Sequence, residues 1–261
     1  MAGYMDILGA LVQQGMSPSS GARMSNALGA GQSGGSLNDI IGSLGQMLGG
    51  GKTGQSAAAG SGGLGGVLGE VLGSLGNNKA AVGGLGALAG AVLGGGSSSA
   101  KGAIGGGGLA MLASLAFSAL KKAGQAPEPP RALFEPETTM DNEALQQDAE
   151  IIVKAMINAA KADNRIDETE IEKIVGKLEK DGLTEAEKSF FMQEAKKPMD
   201  LDGVIRSAGG KPELAAQIYA ASLLAIEVDT SAEKRYMQEL ANGLGLNSQV
   251  TGNIEGFLGM A

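Results

Sequence analysis

The chain has 261 residues, a formal charge of −8, and no Cys, His or Trp. Those absences exclude disulfides, thiol nucleophiles, thiolate or imidazole zinc sites and imidazole general bases. The charge is unevenly held: residues 1–125 contain three acids and six bases, so residues 126–261 carry −11, which argues against a nucleic-acid partner.

The first half is apolar and rich in glycine, holding 35 of the 45 Gly. Its start has no basic segment leading into an apolar core and cleavage site, so a cleaved signal peptide is not expected. Tyr4, Ile7, Leu8, Leu11 and Val12 recur at helical spacing, and Pro18-Ser19-Ser20-Gly21 stops that run. Residues 38–48 form a second short amphipathic run, and residues 49–63 read as a Gly/Ser/Ala linker. Three motif look-alikes fail on context. Gly51-Lys52-Thr53 would need a P-loop glycine where Gln46 stands, and no apolar strand leads into the Gly60–Gly65 match to G-x-G-x-x-G. The G-x-S-x-G match at Gly31–Gly35 has no histidine to serve it.

Two glycine stripes are more informative. Gly65, Gly69 and Gly73 lie four apart, as do Gly86, Gly90 and Gly94, so on helices each set makes a flat face that lets backbones approach closely. In water each such glycine costs a helix about 1 kcal/mol relative to alanine. Residues 80–100 and 102–120 carry no charge, and the second stretch nears the length of a membrane span before ending on Lys121-Lys122. Basic residues there favour a cytoplasmic C-terminal side. Three readings stay open: membrane-associated helices over about 80–96 and 102–120, a disordered tail, and soluble helices that self-associate through the Gly-xxx-Gly faces.

Residues 126–140 hold four of the seven prolines and read as a stiff spacer dividing 1–125 from 141–261. Beyond it every segment reads as helix. A first helix is expected over 142–162 with Asp141 as N-cap. A second begins at Asp167, where Glu170 completes a capping box and Ile171, Ile174, Val175 and Leu178 form the buried face. Thr184 with Glu187 caps a third. Further helices are expected over 201–208, from Pro212 to about Ala225, from Thr230 to Gly243, and around Val250, Ile254 and Leu258. The fold class is all-α: a bundle of about seven short helices behind a Gly-rich low-complexity half.

Two stretches carry a resemblance: Ala159-Ala160-Lys161-Ala162-Asp163, followed by Ile166-Asp167 and Glu170, and then Ala225-Ile226, Val228-Asp229 and Glu233. On these, residues 141–261 resemble the TerB-like helical domain, named for a tellurite-resistance protein. They are similar in particular to the DUF533 family, bacterial proteins of unknown function akin to the inner-membrane protein YebE, which set a Gly- and Ala-rich half before this domain. Asn164 stands where glycine is commonest, a mild departure because Asn tolerates left-handed turns. The resemblance implies an all-helical fold, an acidic metal site and a membrane-linked stress role. It implies no reaction.

The site expectation follows from that resemblance. Asp163, Asp167, Glu170, Asp229 and Glu233 would converge if the two helix–corner–helix units pack as a pseudo-pair, and carboxylates with water suit Ca²⁺, Mg²⁺ or Mn²⁺. The EF-hand pattern is absent, since Arg165 and Ile174 occupy its third and twelfth positions. The competing reading is helix capping, for which Asp163 and Asp229 are not needed. Lys161, Arg165, Lys173 and Lys177 read as solvated ion-pair partners worth roughly 0–1 kcal/mol each. Hydrolysis by Asp163 with Glu170 lacks a substrate cleft. The expected protein is non-enzymatic and held at the bacterial inner membrane by its first half, with the acidic domain facing the cytoplasm for a cation or a protein partner. The alternative is a soluble metal-dependent enzyme with a disordered tail.

Overall fold

The computed structural model describes residues 3–14, 16–27, 100–134, 136, 138–162, 171–172, 174–176 and 184–260. The run over 38–48, the linker at 49–63, both glycine stripes, the uncharged 80–96 segment and the capping box at Asp167 lie outside those residues. The described part is all-α, with no strand among the described residues. Its helices are α1 (Tyr4–Gln14), α2 (Ser20–Ala27), α3 (Ala100–Lys122), α4 (Thr139–Ala160), α5 (Glu185–Lys196), α6 (Leu201–Ser207), α7 (Pro212–Ala225), α8 (Ser231–Gly243) and α9 (Ser248–Phe257). A 3₁₀ turn spans Arg131–Leu133.

The helix α7 is the axis. Every residue from Leu214 to Ala225 is buried, so it has no solvent face, as expected of a helix apolar all round. Against it pack α3 and α4, and α1 lies across both of those. Ile7, Leu8 and Leu11 of α1, Leu112 and Leu120 of α3, Ile152 and Met156 of α4, and Ile218 of α7 belong to one apolar cluster, each at most 1 % exposed. Burying each side chain of this size contributes about 1.5–3 kcal/mol. The uncharged stretch at 102–120 is therefore α3, and its described apolar side chains face protein. Among the described residues no helix is long and apolar enough to cross a membrane.

Gly108 of α3 has a packing role that the sequence did not disclose. A Cβ at Gly108 would stand 3.0 Å from the Gly9 Cα and 3.3 Å from the Gly9 nitrogen. Two glycines meet where α1 crosses α3, and their missing side chains set the approach. The cost in helix propensity is offset by close backbone contact within one chain.

The proline-rich stretch lies on the bundle. Leu133 is 1 % exposed and packs with Ala113 and Phe117 of α3, while the Glu128 amide donates to Glu213 Oε1 at 2.9 Å. Helix α4 starts earlier than expected. Its N-cap is Thr138, and Asp141 is the third residue of the helix: the Asp141 amide donates to Thr138 Oγ1 at 3.1 Å, and the Thr138 amide to Asp141 Oδ2 at 3.0 Å. The reciprocal pair satisfies two free donors where a lone Asp141 cap would satisfy one. The boxes at Thr184 with Glu187 and Thr230 with Glu233 form as expected. Helix α2 was not expected; of the residues read as a stop, Pro18 lies in the turn before it and Gly21 in its first turn.

Candidate functional site at the acidic corners

The corner between α7 and α8 runs from Ile226 to Thr230. Ile226 leaves the helix in extended conformation, and Val228 turns the chain at φ 55°. A β-branched residue in that left-handed region costs about 1–3 kcal/mol. Thr230 then caps α8. Glu233 is 7 % exposed, and its Oε2 accepts the Thr230 amide at 2.9 Å, the Thr230 hydroxyl at 2.8 Å and the Asp229 amide at 3.2 Å. Burial pushes the Glu233 carboxyl up, but the hydrogen bonds from Thr230 and Asp229 outweigh it and hold the group below the usual range.

Helix α7 ends without the glycine that usually turns a C-terminus, so its last carbonyls need partners from elsewhere. They come from α2. Arg23, 8 % exposed, donates through Nη1 to the Leu223 and Ile226 carbonyls and through Nη2 to Glu227 O at 2.9 Å. Ser20 Oγ donates to Leu224 O at 2.6 Å, and the Ser19 amide to Glu227 Oε1 at 3.1 Å. Burial pulls the guanidinium below its ordinary value, against the opposing fields of Glu227 and Glu233. The cation held at this corner belongs to the chain itself.

At the other corner only Lys161 and Ala162 are described; Asp163, Asp167 and Glu170 lie outside, as do the side chains of Arg165, Lys173 and Lys177. Lys161 is not a solvated ion-pair partner. It is 9 % exposed, and its Nζ donates to Glu194 O at 2.8 Å and Lys197 O at 2.9 Å, closing the end of α5. An ammonium with three donors suits two diverging carbonyls. Burial lowers its affinity for the proton, Glu194 raises it and Lys197 lowers it further. Nearby, buried Asn158 accepts the Asp200 amide at 2.7 Å, tying α4 to the start of α6.

Of the expected ligands, Asp229 and Glu233 lie together at one corner, where Glu233 is occupied as a cap. Among the described residues, no group of three or more Asp and Glu could hold a metal ion. Arg23, Ser20 and Lys161 were missed as the residues that finish these corners. The readable signal was a helix end at Ala225 without glycine. A further buried carboxylate, Glu187, joins the N-terminus to the bundle: its Oε1 accepts the Gly3 amide at 2.8 Å and its Oε2 the Thr184 amide at 2.7 Å. Along α5 an open groove of about 360 Å³ is lined by Val175, Met192, Lys188 and Glu185, among others.

A family described as protein of unknown function (DUF533) matches residues 75–258. No curated protein matches the chain. No solved structure matches it either.

Proposed function

We propose that this chain, which belongs to the DUF533 family, is a non-enzymatic helical body that carries a glycine-rich excursion for association with a membrane, and an acidic segment for a cation or a protein partner. The observation that carries this reading is the shared core. Helices α1 and α2 on one side of residues 28–99, and α3 on the other, pack into the same body. The excursion therefore leaves and rejoins one body, and whatever it inserts into a bilayer returns to the side it left. In this reading the Leu, Val and Ala residues between the glycines of each stripe supply the lipid-facing surface, and the glycines supply contact between backbones. In this reading the body faces the cytoplasm of a bacterial cell.

The buried carboxylates of Glu187 and Glu233 are committed to helix caps. A divalent cation would draw instead on Asp163, Asp167 and Glu170, with Asp229 the one expected ligand at the second corner that is not needed for the cap. Calorimetric titration with Ca²⁺, Mg²⁺ and Mn²⁺ tests that part; no heat removes it.

Vesicle flotation tests the membrane reading. The full chain should float with vesicles of phosphatidylethanolamine and phosphatidylglycerol. A variant with the Leu and Val residues of 64–93 changed to Ser keeps the length of the excursion and should stay unbound with its helical content intact. A full chain that fails to float, or a variant that floats equally well, overturns the reading.

A further inference from the structure

The start of α1 brings two carboxylates to one backbone amide. Gly3 precedes the helix, and its carbonyl accepts the Asp6 amide at 2.9 Å and the Ile7 amide at 3.2 Å. Asp6 is the third residue of α1, the position from which an acid ordinarily takes the amide of the residue that caps the helix. Here Glu187 of α5 takes that amide, at 2.8 Å. A Cβ on Gly3 would stand 2.5 Å from Asp6 Oδ2 and 2.7 Å from Glu187 Oε1, so the two oxygens crowd a single point.

Among the described residues no lysine or arginine forms an ion pair with either carboxylate. Lys154 of α4 pairs with Glu150 at 2.6 Å and lies over the Phe190 ring, and Lys188 of α5 pairs with Glu185. Gln146 of α4 is neutral and accepts the Met5 amide at 3.3 Å, while Tyr4 sets its ring edge-on to Phe190. The amino group of Met1 precedes Asp6 by five residues in sequence. Like charges at one site push a proton onto one of the two acids. Glu187 is 4 % exposed and already accepts two backbone amides, those of Gly3 and Thr184, which leaves Asp6 to hold the proton. Burial, and then Glu187, raise the Asp6 carboxyl in that direction.

We propose that Asp6 and Glu187 form an acid-closed latch on the N-terminal helix: a proton on Asp6, donated to Glu187, fastens the start of α1 to α5, and its loss lets that end loosen. A protonated carboxyl has an O–H to give, and a hydrogen bond to a carboxylate is among the stronger kinds. A proton held more firmly when α1 is docked makes the docked form more populated in acid. Ile7, Leu8 and Leu11 keep the rest of α1 in the core, so the motion is confined to its first turn. The latch stands apart from the membrane and cation readings, because neither uses that turn.

Amide hydrogen exchange of the full chain tests it, read on the Asp6 and Ile7 amides and corrected for the intrinsic effect of pH. Between pH 7 and pH 4.5 their protection should rise about twofold on acidification, while the amides of α9 stay level. Asp6→Asn keeps a donor toward Glu187 without a titrating group, so it should show the acid level of protection at both pH values. Asp6→Ala has no donor; it should lose the pH dependence and fall below Asp6→Asn at both. Acetylating the amino terminus should leave the wild-type rise in place. A flat or falling profile in the wild type, or a rise that persists in Asp6→Asn, overturns the latch. So does a rise that acetylation abolishes, or one shared equally by α9.

Discussion

Two buried cations close two helix ends, and they come from different distances. Lys161 reaches the end of α5 from 33 residues away and satisfies two carbonyls. Arg23 reaches the end of α7 from 200 residues away and satisfies three. The first is local housekeeping at a turn; the second makes the start of the chain a structural part of its far end. Sharpening that contrast calls first for Arg23→Ala, expected to cost about 3–4 kcal/mol because three carbonyls, those of Leu223 and Ile226 buried, lose their donor. Lys161→Ala should cost about 2–3 kcal/mol. Urea unfolding gives both values. Proteolysis separates the variants further: Arg23→Ala should open residues 16–27 to cleavage in the folded protein, and Lys161→Ala should not. Equal protection of the N-terminus in both would break the comparison.

The same contrast of near and far governs glycine. Gly108 sits under the Gly9 backbone, whereas Gly252 in α9 has nothing within 4 Å of its Cβ position. Alanine should raise helix propensity at either place by up to about 1 kcal/mol. At Gly252 that gain should appear in full. At Gly108 a Cβ 3.0 Å from backbone must push α1 off α3, and a net loss of about 1–3 kcal/mol is expected. Thermal melts of the two single variants decide it, and a stabilised Gly108→Ala would mean that the crossing has slack.

What was legible in the sequence was whatever depends on neighbours in the chain. The boxes at Thr184 with Glu187 and Thr230 with Glu233 were readable because three-residue spacing defines them. Helix α7 was readable from Pro212 and the apolar run behind it. The stretch 102–120 was read as a candidate membrane segment, because the reason for its Gly108 lies on α1, about a hundred residues earlier. Helix α2 was missed because Pro18 and Gly21 look like a stop and its polar face answers to carbonyls of α7. Lys161 was taken for a solvated lysine because nothing near it in sequence shows that the end of α5 arrives there. Of the candidate ligands, Glu233 was legible as a cap, while Arg23 drew no notice as one of six bases in a glycine-rich half.

A smaller effect tests whether Glu233 works as a local cap. Its folded carboxyl lies below the ordinary value of 4.5, held there by Thr230 and Asp229. A depressed acid contributes stability that is fully present above the unfolded value and is lost as pH falls toward the folded one. Glu233→Gln should therefore cost about 1 kcal/mol at pH 7, and the difference from wild type should shrink below pH 4.5. A difference that persists unchanged at pH 3 would show that the side chain acts through packing.

The smallest effect concerns Asp6, where two influences oppose each other. It lies in the first turn of α1, where the helix dipole favours a negative charge. Yet burial, and then Glu187, push its carboxyl above the ordinary 3.8. For a raised acid the sign reverses: the unfolded chain ionises first, so the penalty grows as pH rises from 3.8 through the folded value and is complete above it. Asp6→Asn should then stabilise the protein at pH 7 by a few tenths of a kcal/mol, a small figure because much of the carboxyl's interaction is screened by water. The gain should vanish near pH 3, where both forms are neutral. Melting temperatures of the two proteins at pH 3 and pH 7 give the answer, and a loss at pH 7 would mean that the dipole outweighs the crowding by Glu187.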